Sequence, residues 1–383
     1  MARIPLGWMQ LKREKLRFAV ALAGVAFAVI LILMQLGFQD SLYESAVRYH
    51  KAMVFDLVLI SPESSFIARP EPFSQRRLYK ALEMDGVTSV HPVYATQGNW
   101  KDPYEHQTRM IFVMGFDPAH RVFELPGVVA NLDAIKLRDG VLFDSASRPE
   151  YGPVAQDFRP ELPIVAQLNN HEIQVRGLFE LGTSFGIDGS ILTSDTNFLR
   201  FFPDRQRGLI DLGLIRLRSG SHAVQARDAL RARLPGDVLV MTKAEYMQRE
   251  KAYWASATAI GYIFGFGLVV GLVVGGIVVY QILFADVSDH LAEYATLKAM
   301  GYSDRYLSGV VLQQATILAV LGYLPAFAGC VWLYRLVGEA THLPLEMTVG
   351  RGVGVVALTI GMCSLAGLLA LRKVRSADPA EIF

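Results

Sequence analysis

The sequence predicts an α-helical membrane protein with four transmembrane helices and an α/β extracytoplasmic domain, in which an α/β subdomain carries an inserted, mostly β subdomain. Three observations carry this prediction. The 383 residues are 52% hydrophobic with a mean hydropathy of +0.30, too apolar for a solvated globule. The excess is concentrated in four long runs: Phe18 to Leu36, Ala259 to Phe284, Leu307 to Leu336 and Gly352 to Leu371. At about 1.5 Å per residue, each run can cross about 30 Å of hydrocarbon. One long stretch between the first two runs, Phe38 to Thr258, is rich in Gly, Pro and charge and has no run of this kind.

The opening, residues 1–17, sets Arg3, Lys12, Arg13, Lys15 and Arg17 among Leu6, Trp8, Met9, Leu11 and Leu16. It reads either as an amphipathic helix on an anionic membrane surface or as a basic flank that fixes topology. A first span at 18–37 follows. Gln35-Leu36-Gly37-Phe38 offers no small-x-small cleavage site, so the span is expected to be retained.

The segment 38–258 begins and ends with helical patterns. Leu42, Ala46, Tyr49 and Met53 recur at the helical period, and Ala244, Met247, Lys251 and Trp254 do so before the second span. Both spans are therefore expected to continue as a two-helix stalk. Val54 to Ile60 and Val87 to Ala95 read as strands on either side of a helix, Gln75 to Glu83, and Asp211 to Leu217, His222 to Leu234 and Val238 to Met241 repeat that order. Between them, about 109–207, short strands and turns predominate. Asn169-Asn170 between alternating runs signals a hairpin.

The second span is placed at 259–284, a polar segment at 285–305, the third span at 307–336, a short loop at 337–351, the fourth span at 352–371 and a tail at 372–383. Gln313 and Gln314 in the third span are costly in lipid and are expected to face another helix or another subunit. Lys298, Arg305, Arg372, Lys373 and Arg375 join the N-terminal cations on one side, against Arg335 and Arg351 on the other. The positive-inside rule then places both termini and segment 285–305 in the cytoplasm, with 38–258 periplasmic.

Several chemistries lack their residues. The chain has no Gly-Lys dipeptide, and hence no loop of the GxxxxGK[ST] kind to cradle ATP. His171-Glu172 is not followed by a second histidine, because Val175 occupies that place, and Gly186-Ile187-Asp188-Gly189-Ser190 lacks a serine between its glycines. A catalytic residue, a metal site and a cofactor are not expected in this chain. The net charge of +1 gives no argument for nucleic acid, and the two cysteines, Cys330 and Cys363, both lie in apolar runs.

Two patterns remain. Gly261, Gly265, Gly267, Gly271 and Gly275 form small-xxx-small pairs on the second span, where a helix can approach closely, within the chain or across a homodimer interface. In segment 285–305, Asp286 or Ser288 can cap a helix with Asp289 in its first turn, Val287, Leu291, Tyr294 and Lys298 share a face, Leu297 and Met300 extend it, and Gly301 is a stop signal. Acidic Asp286, Asp289 and Glu293 argue against a helix lying on lipid, so a groove on a soluble partner is expected to receive it.

These residues carry a resemblance. One span, a large extracytoplasmic insert, three further spans and EYATLKAMGYS after the second resemble the MacB/FtsX-like superfamily of ABC transporter permeases. Glu293, Leu297, Lys298, Ala299, Met300 and Gly301 match the family's coupling-helix pattern, and Arg375 to Glu381 resembles its ending. PLGWMQLKREKLR and the span after it resemble the DevC branch, the cyanobacterial exporter permeases. The resemblance implies a porter-like α/β subdomain and a non-catalytic permease subunit in the bacterial inner membrane. Its expected partners are a separate ATPase that binds ATP and Mg, a membrane-fusion adaptor, an outer-membrane TolC-like channel and a second copy of the chain. Asp289, Leu291, Glu293, Tyr294, Leu297, Lys298, Met300 and Gly301 would then contact the ATPase, and export of a lipid, glycolipid or other hydrophobic cargo would proceed by mechanotransmission. The alternative is an FtsX-like transmembrane regulator that activates periplasmic cell-wall hydrolases; an enzyme within the insert is a third.

Overall fold

The computed structural model describes residues 15–341 and 343–376, so most of the basic opening and the end of the tail lie outside the described residues. The chain divides into two compact units, Leu42–Thr258 and the remainder. Among the described residues, four helices are long and apolar enough to cross a membrane.

The first, α1 (Lys15–Ala46), runs without a break. At Val47 the backbone leaves the helix (φ −100, ψ 10), and a short helix, Arg48–Ala52, follows. The expected face is inside: Leu42, Ala46, Tyr49 and Met53 are all buried.

The Leu42–Thr258 unit is built on a nine-stranded sheet. Strands β1 (Leu57–Ile60), β3 (Val87–Lys101), β10 (Leu212–Leu217) and β11 (Leu239–Thr242) stand in the order β11-β1-β10-β3, all antiparallel. Helix α2 (Gln75–Lys80) links β1 to β3, past the two-residue β2 (Phe73–Ser74). The arrangement is a split β-α-β unit.

The inserted β-rich part is not a separate sheet. The lower half of β3 pairs with β10, and its upper half, from Val93 to Lys101, pairs with β4 (Thr108–Phe116). From β4 the sheet continues through β8 (Ser190–Ser194), β5 (Gly140–Asp144), β7 (His171–Phe179) and β6 (Ile164–Leu168). Strand β6 returns to β3 through Trp100↔Leu168, closing these strands into a ring. Trp100, Phe143, Leu168, Ile173, Val175 and Ile191 fill one continuous core there. Asn169 and Asn170 take φ of 50° and 65° between β6 and β7, the two positive values that a tight primed hairpin turn requires. Helix α3 (Asp195–Phe201) is capped by Ser194, whose hydroxyl accepts from the Asn197 N–H; strand β9 (Leu209–Ile210) pairs with β2.

Helix α4 (Ala223–Arg233) leads to β11, and α5 (Lys243–Ala252) opens on a capping box between Thr242 and Glu245. The inward stripe of α5 is Tyr246, Glu250 and Trp254, not the expected Ala244, Met247 and Lys251. A π-turn, Tyr253–Ala257, follows, and Thr258 is extended (φ −120, ψ 155). The second stalk helix is thus interrupted before the span, against the expectation of continuity. Ser256 and Thr258 hydroxyls donate to the carbonyls of Ala252 and Trp254, which offers this backbone alternatives to a regular helical ladder.

After Thr258 the described residues form α6 (Ala259–Asp289), α7 (Leu291–Ala299), α8 (Asp304–Thr341) and α9 (Val349–Ser376). The loop expected from Gly338 to Arg351 is shorter, because α8 continues to Thr341 and α9 starts at Val349. Nothing in Gly338 to Thr341 stops a helix, whereas Pro344 does. Thr348 caps α9 by accepting from the Arg351 N–H at 3.3 Å. Around α1, α6, α8 and α9 lies an apolar core that includes Val25, Ile32, Val279, Ala315, Cys330 and Cys363.

Candidate functional site

Segment 286–302 sits at the end of α6. That helix passes through Asp286 and Ser288, so neither caps a new helix. The Ser288 hydroxyl instead donates to Phe284 O at 2.6 Å, and the carboxylate of Asp286 accepts from Gln314 Nε2 at 2.9 Å. The amide nitrogen of Gln314 is therefore engaged by a helix of its own chain. Gln313, on the same turn, is only half-buried. Asp289 pairs with Arg17 of α1.

A turn at His290 separates α6 from α7, which is shorter than the expected helix from Asp286 to Met300. Tyr294 is buried with Val287, Leu307, Val311 and Leu371, and Leu297 packs beside them. Leu291 is half-buried. Met300 is 63% and Tyr302 46% exposed, and Glu293 and Thr296 also lie on the open side, whereas Tyr294, expected on the face offered to a partner, is turned into the chain. The side chain of Lys298 lies outside the described residues. Gly301 has φ +91, and Tyr302 N–H reaches Leu297 O at 3.1 Å, a bond that closes a Schellman motif and ends α7.

Three of the five glycines of the second span face α1 within the chain. A Cβ on Gly275 would stand 2.6 Å from Ala28 Cβ and 2.8 Å from Met362 Sδ; on Gly271 it would stand 3.3 Å from Ile32 Cγ1, and on Gly267 it would meet the Gln35 amide. Gly265 has nothing within 4 Å, and Gly261 is half-buried. The stripe serves an intrachain helix contact. Gly275→Val should cost about 1–3 kcal/mol, since Ala28 cannot move away as a long side chain could, whereas Gly265→Ala should cost nothing measurable. Thermal unfolding in detergent would decide, and equal effects of the two changes would refute the packing role.

At the other end of α8, Arg351 donates to Asp40 Oδ2 at 2.7 Å and to Glu346 O at 2.8 Å, and lies 5.5 Å over the Tyr334 ring. Sequence reasoning missed this cluster, as it missed Asp286–Gln314, because partners so far apart in the chain leave no local pattern.

The Leu42–Thr258 unit holds one buried ionisable pair. Glu250 Oε2 accepts from the Ile67 N–H at 3.1 Å and Oε1 from Trp254 Nε1 at 3.3 Å, while His50 Nε2 stands 3.6 Å from Oε2. His50 is 0% and Glu250 2% exposed. Burial pushes the Glu250 carboxyl up to about 7, against the opposing pull of the Ile67 and Trp254 donors and of Arg249. Burial, with a smaller push from Lys243, takes His50 down to about 3. The signal available in the sequence was a glutamate four residues from an aromatic on each side, Tyr246 and Trp254.

Residues 265–379 match the family described as FtsX-like permease C-terminal. No curated protein matches the chain. Among solved structures, the periplasmic region of MacB from Actinobacillus actinomycetemcomitans is similar at 11% identity and a TM-score of 0.37, over 53% of this chain and 94% of that one. The extracellular domain of the noncanonic ABC-type transporter YknZ from Gram-positive bacteria is similar at 13% identity and a TM-score of 0.33, over 49% and 98%. The family match covers the whole of α7, α8 and α9 and most of α6, so the part of this membrane protein that is similar to the FtsX-like permease C-terminal family is the run from the second membrane-crossing helix onward.

Proposed function

We propose that the chain is the permease subunit of an ABC exporter of MacB/DevC type, with α7 as the coupling helix that seats on a separate ATPase. The observation that carries this reading is the two-sidedness of α7. Tyr294 and Leu297 hold it to the membrane unit, and Glu293, Thr296, Met300 and Tyr302 are presented outward next to it. A short helix anchored at one end of a span, offering an acidic and apolar face, suits a groove on a soluble partner.

ATP and Mg are then bound by the ATPase, and the chain itself is non-catalytic. Both termini and α7 lie in the cytoplasm by the distribution of basic residues, and the Leu42–Thr258 unit is periplasmic. Four spans are few for a transporter, and a symmetric homodimer is the simplest completion. Closure of the ATPase draws the two α7 helices together, and the motion passes outward to drive a lipid, glycolipid or other hydrophobic cargo toward a membrane-fusion adaptor and a TolC-like outer-membrane channel.

The test is affinity purification of the tagged chain from its native membrane in mild detergent, beside a Glu293→Lys/Met300→Asp/Tyr302→Ala variant. An ATP-binding-cassette subunit and an adaptor are expected with the wild type, and at least about tenfold less ATPase with the variant, as loss of central contacts costs. An ATPase recovered with a cell-wall hydrolase would favour the FtsX-like regulator instead. No ATPase, or equal recovery with the variant, would remove α7 from the role.

A further inference from the structure

We propose that Glu250 and His50 form a proton-operated clasp inside the Leu42–Thr258 unit, closed when the carboxyl is protonated and released when it ionises. The proposal does not depend on the exporter reading.

Its basis is geometric. One carboxyl group touches three separate pieces of chain: the loop at Ile67, the π-turn through Trp254, and the short helix Arg48–Ala52 through His50. Two of these contacts are donors to the carboxyl. The third is an imidazole, and neither ring nitrogen of His50 has a hydrogen-bond partner. A buried imidazole in this state needs a donor or an acceptor. The protonated carboxyl supplies a donor: its O–H engages His50 Nε2 with a small closing of the 3.6 Å gap, which leaves Nδ1 as the ring nitrogen still without a partner.

Ionisation removes that donor. The proton leaves to solvent, and the carboxylate keeps only the Ile67 N–H and the Trp254 indole N–H. Among the described residues, no cation is positioned to replace it. Arg249, the next residue on α5, directs its guanidinium to Ser64 O at 2.7 Å and Pro62 O at 3.3 Å. Lys243 donates to Met53 O at 2.6 Å and Lys51 O at 3.1 Å. Tyr246 covers the His50 ring, with centroids 4.3 Å apart, and its phenol is pushed upward by burial and the Glu250 charge. Glu44, on α1, is already shared between Lys51 and Lys251.

A buried carboxylate with two donors and no cation favours opening. The piece free to yield is the π-turn Tyr253–Ala257. Wide helical turns of this kind are rare and concentrate at functional positions. Trp254 would leave Glu250 and its partners Phe66 and Phe185, whose rings it meets edge-on at 5.3 Å and 5.1 Å. A rise in pH across neutrality therefore loosens the helix run before the second span from the short helix after the first.

Trp254 reports the event. Emission of the full-length chain in detergent is to be followed from about pH 5 to pH 9, with Trp254→Phe subtracted to remove the other tryptophans. The wild type is expected to titrate with one midpoint near neutrality, where the raised carboxyl value falls. Glu250→Gln, which keeps the two acceptor contacts in part but cannot ionise, should abolish the transition. His50→Gln should move the midpoint by about half to one pH unit, the worth of one hydrogen bond to the neutral acid. A wild-type difference signal that does not change with pH, or a midpoint unaltered in Glu250→Gln, would overturn the proposal. If His50→Gln fails to fold, the other two variants still decide.

Discussion

Replacing Asp144 with alanine should destabilise the Leu42–Thr258 unit by about 3–5 kcal/mol, the range for removing one partner from a buried charged network. Asp144 ends β5 and is 1% exposed. Its carboxylate accepts from the N–H groups of Ala146 at 3.1 Å, Leu181 at 3.1 Å and Gly182 at 3.0 Å, and from the Ser190 hydroxyl at 3.3 Å. Arg48 grips the same loop from outside by donating to Thr183 O at 3.1 Å, and Gly182, at φ +89, leaves room for that guanidinium. Without the carboxylate, those donors are stranded without water, each at about 1–3 kcal/mol. Denaturant unfolding of the full chain in detergent, with proteolysis of loop 181–189 as a local readout, checks this. A loss below about 0.5 kcal/mol with unchanged cleavage would mean that the loop is held by other contacts.

The second large effect is a dependence of global stability on pH, largely cancelled in the wild type below neutrality and uncovered by a variant. Glu250 has a folded value of about 7 against an ordinary 4.5. Its contribution to stability is therefore fully present below about pH 4.5 and is lost as pH rises through 7. At about 1.4 kcal/mol per unit, the loss is about 3 kcal/mol. His50 runs the other way: its folded value of about 3 lies below its ordinary 6.5, so its contribution is present above about 6.5 and lost as pH falls toward 3. Between these limits the slopes oppose, and the wild type should vary little from about pH 5 to pH 7. His50→Gln deletes one slope. That variant should lose about 3 kcal/mol between about pH 4.5 and pH 8, read as a falling unfolding midpoint across stepped pH. A variant as flat as the wild type would contradict the assignment.

Local chemistry was legible in the sequence and distant pairing was not. Asn169-Asn170 announced its hairpin because both residues tolerate positive φ and the flanking runs alternate. Gly301 announced the end of α7 in the same way. The four spans followed from length and hydropathy alone. Closure of the ring through Trp100↔Leu168 did not, because a strand pairing across so much chain has no signature at either residue. The capping expected at Asp286 failed for a different reason: apolar helix continued past it, and Gln314 took the carboxylate. The glycine stripe was visible, but whether α1 or a second copy would fill it depended on where α1 lay.

Strand β3 belongs to two structures at once, with one register on β10 up to Val93 and another on β4 from Val93 onward. There is no linker between the split β-α-β part and the ring, so the two cannot pivot about a flexible joint without breaking ladder hydrogen bonds on both sides of Val93. Mechanically, the strand acts as a splint. A twist applied at β1 or β11 is carried along the ladder past Val93 toward the Asn169-Asn170 tip, and the unit's compliance is expected at its helical ends.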